Sequence, residues 1–85
     1  MSTTVMVYST PTCGDCRRSK RWLDEHKVSY ESIDITEHPE AADYVLRVNQ
    51  GNYVVPTIVF PDGSTLAEPT NDDLAEHVKI VLGIE

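Results

Sequence analysis

The segment TVMVYSTPTCGDCRRSKRWL, residues 4–23, contains the only two cysteines of the chain and decides the fold. Its first six residues are mainly β-branched or apolar and have the length of a strand. A proline then breaks the strand, and Thr12 followed by Asp15 has the pattern of a capping box. We therefore predict a strand, a turn and a helix over residues 13 to about 26, with the two cysteines where the helix begins.

The Cys13-Gly14-Asp15-Cys16 sequence has three interpretations. A structural disulfide closing so short a loop would contribute only about 2 kcal/mol, and a cytoplasmic protein would not keep it oxidised. Half of a zinc site would need two further ligands, but the three histidines are scattered without ligand spacing. A redox-active dithiol needs only two sulfurs near the start of a helix, which the predicted strand, turn and helix provide.

The rest of the chain alternates between strand and helix signals. Pro39 suits the first position of a helix, Asp62-Gly63 indicates a hairpin turn, and Thr70 with Asp73 forms a second capping box. We predict one α/β domain, residues 1–85, in the order β-α-β-α-β-β-α, with a four-stranded mixed sheet flanked by helices. The further predicted elements are strands at residues 28–35, 54–60 and 65–67, a helix at residues 39–49 and a final helix capped at Thr70.

Length and charge exclude several function classes. Eighty-five residues allow one compact domain, and a net charge of −7 argues against nucleic acid as the main partner. No apolar run reaches the roughly 18–20 residues that span a bilayer. The N-terminus has one short apolar stretch and no basic segment before it, so we expect no secretory signal. We therefore expect a cytoplasmic protein with no membrane partner. Residues 1–27 carry a local charge of +2 and residues 28–85 one of −9.

The pattern resembles a known family. A Cys-x-x-Cys after the first strand, with Val55-Pro56-Thr57 at the start of the third, is similar to the thioredoxin fold and most similar to its glutaredoxin branch. Thr12 stands where thioredoxins usually have tryptophan, and the first strand lacks their buried aspartate. The second half resembles the mycoredoxins, small proteins that reduce mixed disulfides with mycothiol, in Val48-Asn49, Gly51-Asn52, Val55-Pro56-Thr57, Phe60, Asp62-Gly63-Ser64-Thr65-Leu66 and Pro69.

The resemblance implies a thiol-disulfide oxidoreductase that takes part in cell redox homeostasis. Cys13, at the helix tip, would be the nucleophile, and Cys16, one turn further on, the buried resolving thiol of a redox-active disulfide. From the strand pattern alone, Pro56 would be a trans proline that begins a strand, whereas the resemblance implies a cis proline. The residues predicted to hold the substrate thiol are Tyr8, Thr12, Arg47, Gln50, Val55, Pro56, Thr57, Asn71 and Asp72.

The implied partners are small thiols and proteins. We expect no tightly bound cofactor and no metal, with mycothiol, or else bacillithiol or glutathione, as co-substrate. Oxidised client proteins would be substrates, an NADPH-dependent disulfide reductase would act indirectly, and the protein would be a monomer. Thr10 stands where glutaredoxins often have a basic residue, which weakens the case for glutathione.

Helix geometry suits this chemistry, because only a thiolate attacks a disulfide. A free cysteine, with a pKa of about 8.5, is mostly protonated at neutral pH. At the first turn of a helix, unpaired backbone N–H groups and the helix dipole favour the thiolate. Arg17 and Arg18 add positive potential and Asp15 opposes it, so we expect a lowered pKa for Cys13, but not an extreme one.

Three other functions stay open. The first is a redoxin of the NrdH type, recycled by thioredoxin reductase and donating electrons to an enzyme such as ribonucleotide reductase. The second is a scaffold that holds an iron–sulfur cluster in a dimer through Cys13 and two small thiols. The third is a zinc-binding module without reductase activity. The Gly14-Asp15 pair between the cysteines differs from the Pro-Tyr common in glutaredoxins, so no redox potential is carried over.

Overall fold

A computed structural model describes residues 4–83 of the chain. The predicted order of four strands and three helices is confirmed within this range. The elements are β1 (Val5–Ser9), α1 (Gly14–Glu25), β2 (Tyr30–Asp34), α2 (Pro39–Val48), β3 (Thr57–Val59), β4 (Thr65–Ala67) and α3 (Asn71–Leu82).

The sheet is mixed and has the strand order β2-β1-β3-β4. β2 runs parallel to β1, while β3 is antiparallel to both β1 and β4. Tyr8 pairs with Thr57, so the end of β1 that leads to the cysteines lies beside the beginning of β3. The two segments singled out in the sequence therefore meet at one end of the sheet.

The two faces of the sheet bury different helices. Val5 and Val7 pack with side chains of α1 and α3 in the larger core cluster, which also contains Ile58 and Phe60. Tyr8 points to the other face, where it packs against the smaller cluster formed around α2. Cys16, Ser19 and Leu23 are buried along one side of α1. This packing fixes the position of α1, and with it the first turn of the helix, relative to the sheet.

The start of α1 differs from the prediction. The N-cap is Cys13, with an extended backbone (φ −86°, ψ 111°), and its Sγ accepts the hydrogen bond of the Cys16 amide. Thr12 and Asp15 are both exposed and form no capping box. The prediction was wrong because the sulfur takes the position that a hydroxyl or carboxylate usually fills.

Two strands are shorter than the apolar runs that predicted them. The amide of Val28 donates to the carbonyl of Leu23 at 2.9 Å, so this residue completes the end of α1 and does not extend β2. β3 begins only at Thr57. The residue before it, Pro56, has no N–H to donate to a neighbouring strand. Hydrogen bonding, more than hydrophobicity, therefore sets both strand limits.

The predicted capping box of α3 is confirmed and gives a stability prediction. Thr70 Oγ1 accepts from the Asp73 amide at 3.1 Å, and Asp73 Oδ2 accepts from the Thr70 amide at 3.0 Å. The backbone hydrogen bond from Thr70 lowers the pKa of the Asp73 carboxyl. Thr70→Ala should lower the free energy of unfolding by about 1 kcal/mol, or roughly 4–8 °C in Tm.

Thermal unfolding followed by circular dichroism checks this expectation. Ser29→Ala is the matched control, because Ser29 is exposed and its hydroxyl has no hydrogen bond within residues 4–83. The control should keep the wild-type Tm. An equal Tm for Thr70→Ala and the wild type would contradict the role of the cap.

Candidate active site

The two cysteines form the centre of the site. Cys13 and Cys16 are disulfide-bonded across a Cα–Cα distance of 5.2 Å. The Cys16 amide donates to Cys13 Sγ at 3.0 Å, and the Arg17 amide donates to the Cys13 carbonyl at 3.3 Å. The exposed end of α1 thus presents a backbone N–H to the sulfur of Cys13. An N–H donor stabilises a negatively charged sulfur more than a neutral thiol.

The two sulfurs differ in access. Cys13 is half-buried, whereas Cys16 is only 1% exposed. A substrate disulfide can therefore approach Cys13, while Cys16 reaches only a group already attached to Cys13. This asymmetry fits a first nucleophile and a second thiol that closes the ring, the roles predicted for the two residues.

A proline loop faces the first sulfur. The peptide bond between Val55 and Pro56 is cis. The family resemblance implied this, whereas the strand pattern alone predicted a trans proline. The Val55 carbonyl oxygen lies 3.8 Å from Cys13 Sγ. The Val55 amide has no hydrogen-bond partner in the described part of the chain. An extended, peptide-like ligand can therefore pair with this backbone beside the sulfur.

The proline loop is braced from inside. Thr57 is fully buried, and its Oγ1 donates to the Val54 carbonyl at 2.6 Å. Asn49 Nδ2 donates to the same Oγ1 at 3.1 Å and to the Val45 carbonyl at 2.8 Å. The side chain of Thr57 thus supports the loop from within, and any contact with a bound thiol falls to its backbone. Pro56 is buried as well.

The start of α3 lies on the other side of the site. The amides of Asn71 and Asp72, its first two residues, have no hydrogen-bond partner among residues 4–83. Both side chains are exposed. Unpaired amides at a helix N-terminus favour negatively charged or polar oxygen atoms. The amides and side chains of these two residues are therefore accessible to a ligand, and their thiol-binding role stays a prediction.

An open cleft of about 380 Å³ lies between α1 and α3. We call it the α1–α3 cleft; it is lined by Asp15, Arg18, Glu68, Thr70 and Asn71. Arg18 crosses it and donates to Asn71 Oδ1 at 2.6 Å and to the Pro69 carbonyl at 2.8 Å. The sequence indicated Arg18 only as a source of positive potential, so these contacts were missed.

Tyr8 and Thr12 lie at the margin of the site. The ring of Tyr8 packs against that of Tyr44, with centroids 5.2 Å apart, in the same cluster as Val55. Burial raises the pKa of the Tyr8 hydroxyl, with smaller contributions from Tyr44 and Glu31. Thr12 is exposed directly before Cys13. A contact of either residue with a bound thiol stays a prediction.

Arg47 and Gln50 lie at the C-terminal end of α2 and are exposed. Arg47 forms no ion pair with the residues that the structure describes. Gln50 adopts a left-handed backbone conformation, with φ 52°, directly after the helix. Both side chains are therefore available to a ligand.

Residues 4–83 contain no group of three or more histidine, cysteine, aspartate or glutamate side chains placed to hold a metal ion. In the same range, no helix is long and apolar enough to cross a membrane.

Comparisons with known sequences show the family of this chain. The family model described as Glutaredoxin matches residues 5–64. A Mycobacterium tuberculosis protein that carries the glutaredoxin name is 44% identical over 75 residues, covering 87% of this chain and 89% of that protein. Mycoredoxin 1 of Corynebacterium glutamicum is 37% identical over 65 residues, covering 76% of this chain and 80% of its own length.

Solved structures agree as well. The thioredoxin-like protein BC3987 matches with a TM-score of 0.76 and 29% identity, covering 86% of this chain and 97% of that one. The NrdH-redoxin from Escherichia coli matches with a TM-score of 0.73 and 25% identity, covering 86% of this chain and 92% of that one.

The mixed sheet, the cysteine pair at the first helix and the proline loop facing it define a dithiol protein with the thioredoxin-like fold. Family matches over most of the chain then make the assignment specific. This chain belongs to the glutaredoxin family and is a thiol-disulfide oxidoreductase. Proteins of this family work with thiol co-substrates and client proteins and need no tightly bound cofactor.

Proposed function

We propose that this protein reduces mixed disulfides of client proteins with a low-molecular-weight thiol, and that this thiol is mycothiol. The observation that carries the proposal is the placement of Cys13. Its accessible sulfur caps α1, lies 3.8 Å from the Val55 carbonyl, and has the unpaired Val55 amide nearby. A small thiol with a peptide-like part can dock on this backbone with its sulfur at Cys13.

The reaction proceeds by thiolate exchange. The Cys13 thiolate attacks the sulfur of the small thiol in the mixed disulfide, and the client leaves as a thiolate that takes up a proton. Cys13 then carries the small thiol in a new disulfide. A second small thiol, as thiolate, attacks that adduct, which releases a symmetric small-molecule disulfide and regenerates Cys13. An NADPH-dependent reductase returns the released disulfide to two thiols.

Different residues of the site bind different parts of the small thiol. The Val55 backbone, with Pro56 and Thr57 behind it, holds the part next to the sulfur, between Tyr8 and Thr12. The free amides of Asn71 and Asp72 bind a carbonyl or carboxylate oxygen, and the Asp72 carboxylate accepts from a sugar hydroxyl or an amine. Arg47 and Gln50 anchor a further oxygen at the end of α2.

Two features favour mycothiol over glutathione. Mycoredoxin 1 is 37% identical over 76% of this chain. Thr10 places a neutral residue where a cation would hold a carboxylate of glutathione. We further propose that the 85 residues are one glutaredoxin-like domain that acts as a monomer in the cytoplasm.

A coupled assay tests the proposed function. A model mixed disulfide is supplied with the reduced protein, and NADPH oxidation is followed with mycothiol and its reductase, with glutathione and its reductase, or with thioredoxin reductase alone. We expect turnover with mycothiol at least tenfold faster than in the other two arms. Turnover that depends on thioredoxin reductase alone would contradict the proposal.

That last outcome would support an alternative function. The Escherichia coli NrdH-redoxin, a glutaredoxin-like protein described as having a thioredoxin-like activity profile, matches this fold with a TM-score of 0.73. A redoxin of that kind would be recycled by thioredoxin reductase and would supply electrons to an enzyme such as ribonucleotide reductase. Ala67-Glu68-Pro69-Thr70 lacks the C-terminal motif typical of such redoxins, which makes this the second candidate.

A further inference from the structure

Arg18 joins two parts of the molecule that are distant in sequence. Its two terminal nitrogens donate to Asn71 Oδ1 and to the Pro69 carbonyl, at 2.6 and 2.8 Å. These acceptors lie 53 and 51 residues further along the chain. The planar guanidinium can hold both at once, which the single nitrogen of lysine cannot do in the same geometry.

The segment that Arg18 holds, residues 68–71, leads from β4 into α3. Its other tether is the Glu68 amide, which donates to the Pro56 carbonyl at 2.9 Å. Glu68 adopts a left-handed backbone conformation with φ 49°, which is uncommon for a residue with a side chain. The segment is thus fixed to the proline loop at one end and to α1 at the other.

These tethers matter for the site because each of the three parts that they join carries a group of the site. α1 carries Cys13, the proline loop carries the free Val55 amide, and the segment continues into the free amides of Asn71 and Asp72. A ligand that touches all three parts needs them at fixed distances. A misplacement of about 1 Å in a binding group can lower a rate by about 100-fold.

We propose that Arg18 is a positioning residue of the thiol site, holding the start of α3 at a fixed distance from Cys13. This inference rests on the proposed function, because it assigns Asn71 and Asp72 to a bound small thiol. Arg18 acts through those residues and does not take part in the exchange of sulfur.

A second role for Arg18 would be electrostatic, through its charge near Cys13. Two observations argue against it. Asp15 Oδ1 lies 3.8 Å from Arg18 Nε and offsets that charge, and the Arg18 side chain is 37% exposed, so solvent screens it. Arg17, the adjacent cation, is exposed and its side chain has no hydrogen bond or ion pair within residues 4–83. The neighbour is therefore a matched control for charge alone.

The test compares Arg18→Lys, Arg18→Met and Arg17→Met with the wild type. Steady-state kcat and the KM for a model mixed disulfide of mycothiol are measured, together with the alkylation rate of Cys13 by iodoacetamide. We expect both Arg18 variants to raise the KM for the mixed disulfide about tenfold, or about 1.4 kcal/mol. We expect kcat and the alkylation rate of the Arg18 variants to change less than twofold, and Arg17→Met to keep the wild-type KM for the mixed disulfide.

Two results would overturn the inference. If Arg18→Lys keeps the wild-type KM, charge suffices and the two-pronged geometry is not needed. If Arg17→Met raises KM as much as Arg18→Met, the effect is a general loss of positive potential.

Hydrogen exchange gives a measurement that needs no thiol substrate. The Glu68 amide is hydrogen-bonded to the Pro56 carbonyl, and Arg18 holds the carbonyl of the next residue, Pro69. Because Arg18→Met loosens this segment, the Glu68 amide should exchange at least fivefold faster, while amides in the middle of α1 keep their wild-type rates. Unchanged exchange at Glu68 would overturn the positioning role. If the wild type turns over with no small thiol, the proposed function fails, and the exchange result still decides whether Arg18 holds the segment.

Discussion

Cys13→Ser should abolish the reduction of mixed disulfides, lowering turnover at least a thousandfold. A serine hydroxyl stays protonated at neutral pH and forms no disulfide, so neither step of the exchange can start. Cys16 cannot replace it, because that side chain is only 1% exposed. The measurement is NADPH oxidation in the mycothiol-coupled assay at equal protein concentrations.

This variant should remain folded, which makes its inactivity interpretable. Cys13 is the N-cap of α1, and its sulfur accepts from the Cys16 amide at 3.0 Å. Serine is a preferred N-cap residue, and its hydroxyl accepts the same kind of bond. The Tm of reduced Cys13→Ser should therefore equal or exceed that of the reduced wild type. Turnover above 1% of the wild-type rate in this folded variant would show that Cys13 is not the nucleophile.

Local signals were enough to predict the order of the elements. Pro39 at a helix start, the Asp62-Gly63 turn and the Thr70–Asp73 capping box each act within a few residues, so each is visible in the sequence. The position of Cys13 is an exception, because a sulfur that serves as N-cap is not part of the usual capping pattern. The helix was therefore predicted one residue too early, at Cys13 instead of Gly14.

The residues of the site could be predicted only where residue type and spacing were enough to identify them. The two cysteines stand out by their spacing, whereas the cis bond before Pro56 depends on the surrounding fold, and only the family resemblance implied it. Arg18 could not be found from local patterns, since its partners lie more than 50 residues away. Asn49 offered a weak signal, as a polar residue directly after an amphipathic helix, but its bond to Thr57 also joins separate elements.

The second prediction separates two routes through the same adduct. After Cys13 has taken up the small thiol, either a second small thiol or Cys16 releases it. Replacing Cys16 removes only the second route. We expect Cys16→Ala to keep at least half of the wild-type turnover with a mixed disulfide, and to lose at least a hundredfold in the reduction of insulin, whose two chains are joined by disulfides.

Alanine is the better replacement here, with Cys16→Ser as its comparison. α1 already buries one hydroxyl with no hydrogen-bond partner in the described residues, Ser19 Oγ. A serine at the neighbouring buried position would add a second polar group to the same interior, at a cost of about 1–3 kcal/mol if it stays unpaired. Measuring the Tm of both variants shows how much of any lost activity reflects stability.

The same variant identifies the small thiol, because without Cys16 the adduct on Cys13 can be released only by another thiol. Protein isolated from cells and analysed by intact mass should carry one mycothiol on Cys13. Equal losses with both substrates would rule out release by a second small thiol and leave Cys16 as the obligatory partner. The burial of Cys16 allows either role once a group is attached to Cys13, so this comparison decides which route the protein uses.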